Sequence, residues 1–206
     1  MSERRVVVSG MGVVSPVGND LETFWESLIK GRSGIGHFEA FDSTAYDCKI
    51  AGEVKNFEAV KYFKNPKTVK RTDRFTQFAM AGTKMALEDS GIDLETVDRT
   101  RFGVMIGSGI GGLYSMEEEA HRLADRGPSR VSPFTIAMMI SNMASGMVSM
   151  EYDLRGPNMC IVTAVRRRTT RLARRGVSSN SATQMPLLPA APRRQSRHLV
   201  LLVSPL

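Results

Sequence analysis

With 206 residues, 42% of them apolar and 24% charged, the chain can bury a core of domain size. No window approaches the roughly 20 consecutive apolar residues of a bilayer span, and Met1-Ser2-Glu3-Arg4-Arg5 leads into only three valines, so neither a membrane anchor nor a signal peptide is expected. The formal net charge of +7 is unevenly held: residues 165–206 carry nine arginines and no Asp, Glu or Lys, which leaves residues 1–164 at about −2 and excludes a basic character for the body.

In chain order, residues 5–10 form a short β-branched run ending in glycine, predicted as a strand buried on both faces. Gly12, Ser15-Pro16 and Gly18-Asn19 punctuate a loop. Asp20 is a predicted N-cap for a helix with Leu21, Phe24, Trp25 and Leu28 on one side, ending near Gly31. Residues 33–63 read as loops with short strands, one of them at 50–54. From Asp73 to Ser90 the apolar positions Phe75, Phe78, Ala79, Gly82, Met85, Ala86 and Leu87 have helical spacing, and Gly91 supplies a stop. A second strand is predicted at 102–107 and a polar, Glu-rich amphipathic helix at 113–126. Residues 133–150 read as one continuous helix, rich in small residues and methionine and so packed on several sides. The Gly156-Pro157 turn and a run at 159–162 complete an alternation of strands and helices, which is the pattern of a layered α/β domain.

Three features carry candidate chemistry. Gly107-Ser108-Gly109-Ile110-Gly111-Gly112 lies between a strand and a helix, like a phosphate-cradling loop, but it lacks the lysine and hydroxyl of a P-loop. No acidic residue ends a suitable second strand about 20 residues on. The better reading is a tight loop shaped around an apolar ligand or a neighbouring backbone. Lys67, Lys70, Arg71 and Arg74 cluster at the start of the Asp73 helix; by composition alone a solvated helix face is the simpler reading, and docking of an acidic partner is the alternative. His37, His121 and His198 are scattered, and Cys48 with Cys160 makes no zinc spacing, so no metal site is expected. Without a secretory signal, two cysteines favour a reducing cytoplasm and free thiols.

The segments from Val6 to Gly18 and from Ile106 to Gly112, then Ser132-Pro133-Phe134 and Leu154-Arg155-Gly156-Pro157, together resemble the N-terminal half of a type II β-ketoacyl-acyl carrier protein synthase, a match covering residues 4–164. The resemblance implies a thiolase-like fold of two similar α/β halves, of which residues 1–164 would be an incomplete first one. It also implies a homodimer at the level of the family, though not for an incomplete half, and condensation of an acyl chain with malonyl-acyl carrier protein in fatty acid biosynthesis; no cofactor is expected. In that family a cysteine follows a Thr-Ala pair at the N-terminus of a buried helix and takes up the acyl group. Two histidines and a lysine of the C-terminal half then support decarboxylation and stabilise the oxyanion.

Here Thr163-Ala164 is followed by Val165, whose aliphatic side chain offers no nucleophile, so no catalytic residue is assigned and the chain is expected to be inactive. Cys160, five residues earlier in a predicted buried strand, reads as core packing with poor access. The resemblance assigns Ile110 to the gate of the acyl pocket and sets Lys67, Lys70 and Arg71 against the acidic face of acyl carrier protein, which reverses the reading by composition. It also brings the segment at 133–150 near the dimer interface.

Residues 165–206 have no counterpart in that family. Their arginine clusters, lack of acids and Pro186-Leu187-Leu188-Pro189-Ala190-Ala191-Pro192 are what a GC-rich gene gives when read out of frame, so a disordered tail arising from a frameshift near codon 164 or 165 is expected. A body stopped inside a half-domain would expose sheet edges and apolar surface, and the expectation is a poorly folded or short-lived product. Two other classes stand beside this one. The first is a noncatalytic partner subunit of an active synthase. The second is nucleic-acid binding by the tail, against which stands its lack of aromatic residues for stacking.

Overall fold

The computed structural model describes residues 7–162. Val165, the Thr163-Ala164 pair and the arginine-rich segment lie outside the described residues. The elements are α1 (Leu21–Ile29), β1 (Ile35–His37), β2 (Ile50–Gly52), α2 (Pro66–Val69), α3 (Arg74–Ser90), β3 (Val104–Gly107), α4 (Leu113–Arg126), α5 (Thr135–Met139), α6 (Met143–Tyr152) and β4 (Asn158–Ile161). Helices and strands are interspersed along the chain; β1 pairs antiparallel with β2, and β3 runs parallel to β4, as expected of a layered α/β domain.

Helix boundaries follow from local chemistry. The Asp20 carboxylate accepts from the Thr23 amide and starts α1, and Gly31 at φ 63° turns the chain out of it. Asp73 accepts from the Phe75 amide at the start of α3, and Gly91 in the left-handed conformation ends that helix. The two helices differ in their surroundings. On α1 only Ser27 is buried and Trp25 is 63% exposed, while Leu21 and Phe24 are half-buried, so the described residues cover its apolar face only in part. On α3 residues Thr76, Phe78 to Thr83, Ala86, Leu87 and Ser90 are buried, which wraps the helix nearly all round.

The main core joins α3, β3 and α6 through Ala79, Met80, Leu87, Val104, Ile106, Ala144 and Val148. Val104, Met105 and Ile106 are all buried, so β3 is covered on both faces. A tight turn brings β4 to it: the Arg155 amide donates to the Arg99 carbonyl, the Gly156 amide to the Phe102 carbonyl, and the Val104 amide to the Pro157 carbonyl. Gly156 is needed there because a Cβ would lie 2.6 Å from the Phe102 carbonyl carbon.

Two expectations are corrected. The predicted strand at 5–10 forms no ladder over its described residues; Gly10 and Gly12 lie instead against the backbone of α3, where a Cβ would meet the Ala86 and Gly82 carbonyl oxygens at 2.2 and 2.1 Å. The expected continuous helix at 133–150 is broken into α5 and α6 by Ile140, which is extended at ψ 134°. The break has a tertiary cause: the Met139 carbonyl accepts from the Gly112 amide at 2.9 Å and is turned away from its own helix.

Candidate docking turn and glycine loop

Lys67 lies on α2, and Lys70 and Arg71 on the turn that follows it; all three are exposed. The Asn65 side chain accepts from the Lys67 amide and starts this short helix, with Pro66 in its first turn. Among the described residues none of the three cations forms an ion pair with a carboxylate. Arg71 has its guanidinium 4.4 Å from the centre of the Phe134 ring. Arg74, grouped with them in sequence, does other work: it donates to the Val54 carbonyl at 2.8 Å and lies over Phe78.

Asp73 ties this turn to the glycine loop. Its carboxylate is buried, caps α3 through the Phe75 amide, and accepts from both the amide (3.1 Å) and the hydroxyl (2.6 Å) of Ser115 in the first turn of α4. One carboxylate so serves the N-termini of two helices, where partial positive charge favours it. Sequence reasoning assigns Asp73 only the first of these roles, because its second partner is 42 residues away.

The loop from Gly107 to Gly112 is shaped around neighbouring backbone. Gly111, at φ 90°, would put a Cβ 2.3 Å from the Met139 carbonyl oxygen, and Gly112 would put one 2.3 Å from that of Met138. The buried Ser108 hydroxyl accepts from the Gly111 amide. Ile110 is thereby held outward and is 70% exposed. Leu113, Tyr114, Met116 and Ile136 beside it are also exposed, so the described residues leave this apolar part of α4 and α5 uncovered. The one buried residue of α4 is Glu119, which pairs with Arg122 and accepts from the Ser132 amide at 2.8 Å.

Cys160 is half-buried on β4, with its thiol 3.4 Å from the Ser141 carbonyl, so it is less enclosed than its strand context implies. Cys48 is exposed, and both thiols are free. A cavity of about 410 Å³ is lined by Tyr62, Lys64, Lys84, Glu88, Ile92 and Tyr152 among others, and none of the predicted site residues contributes to it. Among the described residues no helix is long and apolar enough to cross a membrane.

The family model of the β-ketoacyl synthase N-terminal domain matches residues 3–165. The 3-oxoacyl-[acyl-carrier-protein] synthase 2 of Synechocystis is 44% identical over 164 residues, which are 80% of this chain and 39% of that protein. The chain thus spans about two fifths of the length of the curated relatives it matches. Among solved structures, the ishigamide ketosynthase/chain length factor superposes with a TM-score of 0.70 at 25% identity, over 79% of this chain and 40% of that one. The type II polyketide ketosynthase AntDE, solved with its acyl-carrier protein AntF, superposes at 0.66 and 21% identity, over 86% and 48%, a likeness of fold. The parallel β3–β4 pair, the close approach of Gly10 and Gly12 to α3, and the Gly156 turn are the physical content of the motifs that carry the resemblance. The fold is that of the thiolase-like ketosynthases, and the chain belongs to the β-ketoacyl synthase family through its N-terminal domain.

Proposed function

We propose that this chain docks acyl carrier protein on Lys67, Lys70 and Arg71, offers the Ile110 loop to the acyl group, and forms no acyl-enzyme, because residue 165 is valine. The observation that carries the docking half is the set of three exposed cations on one turn without carboxylate partners among the described residues. Unpaired surface cations lose little hydration in waiting and gain charge-assisted hydrogen bonds when an acidic surface arrives. The buried Asp73 bond to Ser115 keeps that turn against the loop bearing Ile110.

The family's reaction, condensation of an acyl chain with malonyl-acyl carrier protein, requires a nucleophile that a valine side chain cannot supply. A noncatalytic partner of an active synthase is the second reading, favoured by the uncovered apolar face at Ile110, Leu113, Tyr114, Met116 and Ile136. Co-purification with an intact synthase separates it from the first. For the docking turn, reversing Lys67 and Lys70 together to Glu is expected to weaken carrier binding by about tenfold or more at low salt, with the gap narrowing as salt screens it. Calorimetric titration at two ionic strengths checks this. Equal affinity of parent and variant at low salt removes the docking turn.

A further inference from the structure

We infer that the Arg71–Phe134 stack is the link through which occupation of the docking turn reaches the loop bearing Ile110, an inference that rests on the carrier-docking reading. Arg71 is exposed and has no carboxylate within ion-pair distance among the described residues, so its guanidinium rests only on the Phe134 ring, 4.4 Å from the ring centre. Phe134 is itself 38% exposed and starts α5: its carbonyl accepts from the Met138 amide, and its own amide donates to the Ser132 hydroxyl. The far end of α5 is the surface on which the glycine loop sits. The Met139 carbonyl accepts from the Gly112 amide, and the Met138 and Met139 oxygens lie closer to Gly112 and Gly111 than any side chain would allow.

Contacts this close transmit displacement, because neither backbone can shift without moving the other. A change at the Phe134 ring therefore arrives, five residues later, at the two glycines that follow Ile110. Asp73, two residues beyond Arg71, gives the turn a second attachment of a different kind. It is buried and bonded to Ser115, so it holds the turn in register while the exposed stack is free to open. An exposed cation–π contact and an exposed ion pair are of similar strength, so a partner's carboxylates compete with the ring on nearly equal terms. The guanidinium can thus trade the ring for a carboxylate at little net change, and the support of α5 changes with it.

The test is hydrogen–deuterium exchange of peptides within 107–115 in the full chain, alone and with acyl carrier protein lacking an acyl group, for the parent, Arg71→Lys and Phe134→Leu. The lysine variant keeps the charge and loses the planar stack, and the leucine variant keeps apolar bulk and loses the ring. Carrier protein is expected to speed exchange at 108–112 in the parent by about threefold or more, and both variants to show that acceleration without carrier and to respond to it by less than about twofold. Identical exchange in parent and variants overturns the link, whatever the carrier does. Failure of carrier to bind the parent while the variants exchange faster sinks the docking reading and supports the link within the chain.

Discussion

Tyr152 closes α6, with the Lys64 ammonium 5.5 Å from its ring centre. Burial, followed by the negative charges of Glu151 and Glu88, pushes its phenol up to about 12 from an ordinary value near 10. The folded chain therefore keeps a proton that the unfolded chain gives up first. The stabilisation is complete below about pH 10 and is lost as pH rises through about 12. Tyr152→Phe has nothing to ionise, so its chemical-denaturation midpoint is expected to fall less than the parent's between about pH 9.5 and about pH 11.5. Parallel decline of the two would show that burial does not govern this group. Gly112 sits where the glycine loop meets α5. Its φ is an ordinary −89°, so the demand for glycine comes from space alone. Gly112→Ala is expected to cost about 1–3 kcal/mol through overpacking against Met138 and Asp73. Gly146→Ala, whose Cβ would meet only the Met143 sulfur at 3.9 Å, is expected to gain up to about 1 kcal/mol from helix propensity. Urea denaturation of the two variants reads the contrast in sign.

Elements with strong local punctuation are legible in the amino-acid sequence alone. Asp20 with Gly31 and Asp73 with Gly91 bracket their helices because capping and left-handed turns are written into one or two residues. The α4 span likewise agrees with the amphipathic pattern at 113–126. The break between α5 and α6 is not legible in this way, since Ile140-Ser141-Asn142 contains no proline or glycine and the helix is interrupted by a glycine loop some 30 residues earlier. The valines at 7 and 8 have strand propensity, yet a strand is defined by a neighbour, and none of the described residues supplies one. At the candidate site the spacing of Lys67, Lys70 and Arg71 is visible from sequence. Arg74's commitment to Val54, Asp73's bond to Ser115 and Arg71's stack on Phe134 depend on contacts distant in sequence, and no local pattern encodes them.

Across the whole molecule the buried core of α3, β3 and α6 coexists with large exposed apolar side chains, among them Trp25, Ile29, Ile110, Tyr114 and Ile136. Apolar surface on this scale drives association more strongly than the chain's formal net charge of +7 opposes it. The chain is expected to sediment as species larger than a monomer, and a monodisperse monomer at micromolar concentration would show that these side chains find cover within the chain. The proposed lack of acyl transfer rests on valine standing at residue 165, where a nucleophile would be needed. Intact-mass spectrometry of the purified chain after incubation with acyl-acyl carrier protein tests that most directly. The expected spectrum holds the unmodified chain alone, with the carrier still acylated. An acyl adduct that forms on any side chain and turns over when malonyl-acyl carrier protein is added would contradict it.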